Sequence, residues 1–426
     1  MKKSALLHAV PLSVLLGLVS CGGGSKSSTT APSKLTERVF ASQSASSPAA
    51  FGGLVIIDGQ FDTVGRGGVG TGGAPGLMAI SPNRATLVAF DLLTNRVDVV
   101  NTLRESETGS IPLPGITTSI VVPQPAFGYA AVPSAPIIGY PPGAVVQMNL
   151  TGGGIAATIG VPGAQTVVSN STGSQLLVFS NDSDAVTVVT PVSLNTSTPA
   201  TVSVPGFDRP VYGIFNSDGT EAYILNCGAE CMGTQASVQI LNLTTSPPTA
   251  GAAVPVDAAT IGLISGTNLY VAGTPPTNNP CTGEATAATT CGRLDIVDLN
   301  SMTVTNKYVI TDGYHDRIDM GNGGQLFIGS HTCTNIGNVN NVTGEVRGCL
   351  SILNTTNGNI VIPPDNGDVT GLQDFTSRQV EYVAEGGNLR VYYTVTDTLL
   401  SNYYYITTGT IVLPGYITDV KSVDFF

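Results

Sequence analysis

Tyr212-Gly213-Ile214-Phe215, Asn216-Ser217-Asp218-Gly219, Ala222-Tyr223-Ile224-Leu225-Asn226 and, after a loop, Val238-Gln239-Ile240-Leu241-Asn242 decide the fold. In order they are an apolar run, a polar turn, a second apolar run, a variable connection and a third run that stops at Asn. The runs are too short for helices and are made of residues that favour strands, with turn formers between them. The unit recurs as Ile261-Gly262-Leu263-Ile264, Ser265-Gly266, Leu269-Tyr270-Val271-Ala272 and Leu294-Asp295-Ile296-Val297-Asp298. It recurs again through Gly323-Gly324, Leu326-Phe327-Ile328-Gly329 and Leu350-Ser351-Ile352-Leu353-Asn354. Further copies start near Leu77, Ile120, Thr166 and Gln379, a period of about 45 to 60 residues.

A four-stranded antiparallel unit repeated at this period predicts an all-β chain folded as a β-propeller. Seven blades are expected, with eight as the alternative. Leu54-Val55-Ile56-Ile57-Asp58 reads as a third strand lacking its first two, and Asp419 to Phe426 as a strand lacking successors. Joined in one blade, N- and C-terminal strands would close the ring and remove exposed edges. The units resemble the YVTN-type repeat of bacterial surface proteins and lactonase-like propellers, through Ser81-Pro82-Asn83, Asn216-Ser217-Asp218-Gly219, Tyr223-Ile224-Leu225-Asn226 and Val297-Asp298. The resemblance covers most of residues 51–426. It implies the propeller and, as an alternative function, an enzyme acting on a small sugar or lactone in the central channel. The terminal Phe426 also fits an outer-membrane barrel strand, but long alternating segments are too scarce for that fold.

The N-terminus carries a different message. Lys2 and Lys3 precede an apolar segment that ends at Leu18-Val19-Ser20-Cys21, which resembles the cleavage and acylation box of bacterial lipoproteins. The expected organisation is a signal peptide at 1–20, a flexible Gly/Ser/Thr/Pro tether at 21–50 and the propeller at 51–426. Cys21 would carry the acyl chains that bind the membrane. Gly22 follows it where some inner-membrane lipoproteins carry aspartate, so outer-membrane placement is expected, facing the periplasm or the surface. Without Lys2 and Lys3 the basic count falls from 17 to 15 against 29 acidic residues, which excludes nucleic acid as an electrostatic partner.

Six more cysteines lie between the second and third strands of three successive repeats: Cys227 and Cys231, Cys281 and Cys291, Cys333 and Cys349. Six cysteines allow fifteen connectivities. If the repeat frame holds, only the sequential pairs keep both partners inside one hairpin, and an exported chain would retain such bonds. A metal site would need ligands converging from separate repeats, and none is expected.

The chain has no Trp, which sets it apart from WD, kelch, sialidase and quinoprotein propellers. The candidate channel-mouth binding residues are His315, Asp316 and Arg317, with Asp208-Arg209 and Asp374 and Arg378 at related positions, where one repeat hands over to the next. An imidazole beside a carboxylate can act as a base, but a polar rim is the plainer expectation. His331 reads as part of a solvated turn, and Asn181-Asp182-Ser183-Asp184 as a hairpin turn rather than a calcium loop. Gly68-Val69-Gly70-Thr71-Gly72-Gly73 fits the dinucleotide pattern on paper, yet Pro75 and a strand follow it, so no helix end is available for a phosphate. No nucleophile elbow, zinc-protease helix or phosphate loop occurs.

No catalytic set and no cofactor is therefore expected. The leading reading is a monomeric, lipid-anchored, non-catalytic binding or scaffold module that recognises a protein or glycan partner with disulfide-stiffened loops.

Overall fold

The computed structural model describes residues 32–44, 52–193, 198–276, 291–334, 348–363, 367–396, 398–399, 410–411 and 416–424. The expected signal peptide, Cys21 and Cys281 lie outside them. Eight antiparallel sheets follow one another around a ring, so the fold is an eight-bladed β-propeller. Innermost strands are Tyr416–Ser422, Pro75–Ile80, Ser119–Gln124, Ala164–Ser169, Pro210–Phe215, Ile261–Ser265, Tyr314–Gly321 and Val369–Phe375, in blades 1 to 8. Each contacts the next, and blade 8 returns to blade 1.

Blade 1 closes the ring as expected, but with three N-terminal strands instead of one. Its order from the axis outward is Tyr416–Ser422, Arg38–Ser44, Gly53–Asp58 and Thr63–Val69. The strand Arg38–Ser44 lies in the stretch expected to be tether. The seven repeat copies of the sequence are blades 2 to 8, and the closing blade is an eighth, so seven was one too few. Its sequence RVFASQS has the small polar residues of a linker, yet Val39, Phe40, Ala41 and Ser42 are completely buried. Composition concealed it because neighbouring blades, and not its own apolar content, supply its burial. The start of the propeller therefore moves back from residue 51 to the Arg38 strand.

The sequence pattern of each unit has a local cause. The Asn or Asp that ends the third strand accepts a hydrogen bond from a backbone N–H in the following turn. Asn242 Oδ1 takes Thr244 N at 2.9 Å, Asp298 Oδ1 takes Ser301 N at 2.8 Å, and Asn354 Oδ1 takes Thr356 N at 3.0 Å. These side chains replace backbone partners that a tight turn removes. At the first turn Asn216 Oδ1 accepts Glu221 N at 3.1 Å while Gly219 takes φ +73°, a conformation that favours glycine.

Second strands are apolar on both sides because each is sandwiched between neighbouring blades. In blade 5, Ala222 and Ile224 pack toward blade 4 with Phe179 and Leu177, while Tyr223 and Leu225 pack toward blade 6 with Leu269 and Val271. The same alternation forms eight inter-blade layers, the last joining Val39 and Val420 to Val380 and Tyr382. Burying each such Val, Leu or Ile contributes roughly 1.5–3 kcal/mol. The core is thus distributed around the ring.

Candidate functional site

Handover loops and connections between second and third strands share one face of the disc, and their side chains brace one another. Asp208, which leads into blade 5, accepts the backbone N–H groups of Thr234 (3.0 Å) and Gln235 (2.8 Å) in that blade's second connection. Asp312, which leads into blade 7, accepts Thr334 N at 2.8 Å. Both connections hold disulfides, Cys227–Cys231 and Cys333–Cys349, as the repeat frame predicts. Cys291 is also disulfide-bonded, with expected partner Cys281 outside the described residues.

Behind this face runs the channel. A cavity of about 910 Å³ is walled by Tyr212, Ile214 and Phe215 on one side and by Asp316, Arg317, Asp319 and Lys421 on the other. A second, of about 370 Å³, lies against blades 2 to 4 and shares Tyr212, Ile261, Asp316 and Arg317 with the first. A third, of about 340 Å³, sits between blades 4 and 5 beside the Cys227–Cys231 loop and shares Gln165, Thr166, Val211 and Tyr314 with the second. The three adjoin in series, from the loop face to the axis.

Of the expected channel residues, Asp316 and Arg317 do line the axis, but His315 does not. A β-bulge between His315 and Arg317 turns both following side chains to the channel. His315 is left fully buried between blades, and neither ring nitrogen makes a hydrogen bond. Burial pulls its pKa down to about 4, with the Thr311 backbone and Asp316 opposing. It sits where Gly292 makes room, since a Cβ there would stand 2.8 Å from its Cε1. His315 is a neutral core residue.

The imidazole that meets Asp316 belongs to His331, the last residue of the second strand of blade 7. Its Nε2 is 2.9 Å from Asp316 Oδ1 and its Nδ1 is 3.6 Å from Asp368 Oδ2, charge contacts and not aligned hydrogen bonds. Contact with Asp316, against opposing burial, raises the His331 pKa. The expectation of a solvated turn is therefore corrected: antiparallel pairing puts Tyr314 opposite His331. Arg317 is fixed by donating from Nε to Thr370 O at 2.7 Å and by standing 3.0 Å from Asp316 Oδ2.

Asp374 and Arg378 are on the opposite face and are no part of the mouth. They follow the outgoing end of an inner strand. Asp374 accepts Asn322 N at 3.0 Å, and Arg378 grips Asp62 of blade 1, with its second guanidinium nitrogen 2.8 Å from Oδ2. Asp208 is a loop brace, as above. Arg209 reaches the third cavity, 3.8 Å from Asp182 and 3.7 Å from Asp184. Gly72, in the run that mimics the dinucleotide pattern, donates its N–H to Asp98 at 2.8 Å, and Ala74 N donates to Asp91 at 3.0 Å.

Residues the sequence left unmarked also gather here. Glu230, inside the small disulfide loop, accepts Thr274 N at 2.9 Å, and burial pushes its pKa up to about 7. Such a carboxyl exchanges its proton near neutrality. Tyr314 borders the second and third cavities and is 46% exposed. The available signal was positional: strand ends and handover residues of any blade face the mouth. Among the described residues no group of three His, Cys, Asp or Glu side chains is placed to hold a metal ion.

No family model and no curated protein sequence matches the chain. Solved structures do. The dihydro-heme d1 dehydrogenase NirN, in complex with DHE, superimposes with TM-score 0.60 at 9% identity, over 92% of this chain and 76% of that one. A 6-phosphogluconolactonase-like protein of Bacteroides uniformis gives TM-score 0.51 at 11% identity, over 91% and 99%. A second such protein, of Bacteroides fragilis, gives 0.50 at 13%, over 91% and 98%. At these identities the likeness shows the β-propeller fold alone.

Proposed function

We propose that the chain is a lipid-anchored β-propeller of the cell envelope that acts as a binding module, recognising a small polar ligand or the tip of a larger one at the disulfide-braced face. One observation carries this reading: the cavities adjoin in series from the Cys227–Cys231 loop to Arg317 on the axis. Rigid strands hold the walls while loops vary, the usual division of labour in recognition. Arg317 can meet a carboxylate, and Tyr212 and Ile214 can cover an apolar edge. Leu18-Val19-Ser20-Cys21 supports the anchor. Calorimetry of the full chain with gluconate, a small polyhydroxy acid, tests the module. Binding that weakens at least tenfold in Arg317→Ala is expected, and no binding would remove the reading. Labelled palmitate should enter the wild-type chain in a bacterial host and not Cys21→Ser.

His331, between Asp316 and Asp368, favours a second reading, hydrolysis of a small lactone. As the neutral base it would take a proton from water adding to the ester carbonyl and return it to the ring oxygen as that C–O bond breaks. Hydrolysis of δ-gluconolactone above the uncatalysed rate, lost in His331→Ala, would establish it. An unchanged rate leaves the binding module.

A further inference from the structure

The third cavity has features that the channel does not need. Three residues with left-handed backbones line it: Asp182 at φ +56°, Arg209 at +55° and Met232 at +65°. Aspartate tolerates this conformation in turns, but arginine and methionine adopt it at a cost of order 1 kcal/mol each. The surroundings enforce both. Arg209 N donates to Asp184 Oδ1 at 3.2 Å and its carbonyl accepts Cys227 N at 2.9 Å. Met232 follows the short helix closed by the Cys227–Cys231 disulfide, and Gly233, packed against Asp208 and Arg209, leaves no room for a Cβ. Strain held in this way at the rim of a cavity aims side chains.

The aimed groups define a chemistry. The Arg209 guanidinium makes no hydrogen bond to a described residue, standing just beyond that range from two exposed carboxylates. Around it lie the planar groups of Asp182, Asn181 and Gln165, with Asn181 Nδ2 3.3 Å from Gln165 Oε1. Met232, 77% exposed, and the Tyr314 ring give the wall an apolar part. One cation beside two carboxylates disfavours an anionic ligand. Planar carboxylate, amide and guanidinium groups suit paired hydroxyls, and an aromatic ring suits the C–H face of a sugar. The volume, about 340 Å³, lies at the lower end of the range for small-molecule sites.

We infer that this cavity is a carbohydrate subsite that receives an uncharged sugar ring, with Arg209, Asp182, Asn181 and Gln165 on its hydroxyls and Tyr314 on its C–H face. The inference rests on the binding-module reading and names the ligand class at the outer end of that site. The disulfide then has a role beyond stability, because it fixes Met232 against the ring.

The test is titration of the full chain with glucose, galactose, N-acetylglucosamine, cellobiose and maltose, followed by saturation-transfer NMR and calorimetry. At least one sugar should bind. Affinity should fall at least tenfold in Arg209→Gly and Asp182→Ala and stay within about twofold of wild type in Arg96→Ala, a cation on the third strand of blade 2 that borders none of the three cavities. Glycine relieves the backbone at position 209, so Arg209→Gly should be no less heat-stable than wild type, which separates lost binding from lost folding. Sugar binding that depends on Arg317 and ignores Arg209 would overturn the inference, as would putrescine binding there in place of sugars. Gluconate binding at Arg317 with no sugar bound would overturn it while leaving the module intact. No binding of any probe would remove both.

Discussion

His331 Nε2 stands 2.9 Å from Asp316 Oδ1 across the first two strands of blade 7, and this contact gives the channel-lining carboxylate an imidazole partner that the adjacent His315 does not supply. The bulge after His315 decides which of the two imidazoles meets the carboxylate. His331 should therefore titrate above the ordinary histidine value of 6.5. In Asp316→Asn it should fall back toward or below that value, with Arg317 and burial then unopposed by the carboxylate. Proton NMR of the imidazole resonances checks this, and an unmoved His331 would show that the pair does not interact in solution.

His315 gives the molecule an acid-sensitive joint. Its folded pKa of about 4 lies below the ordinary 6.5, so its neutral form stabilises the fold above pH 6.5 and that contribution is lost as pH falls toward 4. The full effect is of order 3 kcal/mol, from about 1.4 kcal/mol for each pH unit. Urea unfolding between pH 7 and pH 4 should show a steeper loss in wild type than in His315→Leu.

Glu381 does the reverse. It is fully buried between blades 7 and 8 with both carboxyl oxygens unpaired, and burial, then Asp319 and Asp374, raise its pKa well above 4.5. A raised folded value means stability present below 4.5 and lost as pH rises through that folded value. Glu381→Gln keeps the shape and cannot ionise. It should melt higher than wild type at pH 8 and close to it at pH 4.5, and a lower melting temperature at pH 8 would contradict the unpaired carboxyl.

Arg38 ties the ring closure. Its guanidinium is 2.6 Å from Asp424 Oδ1 and 3.1 Å from Glu105 Oε1, and it donates to Thr102 O at 2.6 Å, linking blade 1, the C-terminal strand and blade 2. Arg38→Ala leaves two shielded carboxylates without their cation, a loss of about 3–5 kcal/mol. Urea unfolding should show that loss, and adding Glu105→Gln and Asp424→Asn to the variant should recover part of it.

Much of the fold was legible because its causes are local. Apolar runs between Asn, Asp and Gly turns specify strands wherever they stand, and Asn242, Asp298 and Asn354 repeat one turn chemistry at one place in the unit. The strand Arg38–Ser44 was not legible, because its burial comes from blades 2 and 8 and little in its own residues demands a core. Eight blades follow once the closing blade is added to the seven repeats.

The site was legible only in part. Sequence order placed Asp316 and Arg317 at a handover, and the same frame placed the cysteines in one class of loop. It also placed His315 beside them, since neighbours in a chain look like neighbours in space until a bulge separates them. Asp374 and Arg378 imitate the handover pair but follow the outgoing end of a strand, and strand direction puts them on the other face.

What the sequence determined by itself was the repeated strand–turn–strand unit, the all-β class and the pairing of Cys227 with Cys231 and Cys333 with Cys349, because each depends on residues close together in the chain. Only the tertiary structure decided that eight units close the ring, that His331 and not His315 meets Asp316, and that Asp182, Arg209, Met232 and Tyr314 surround one cavity. Those relations join residues from different strands and blades. Packing and register set them, and neither is written in any single repeat.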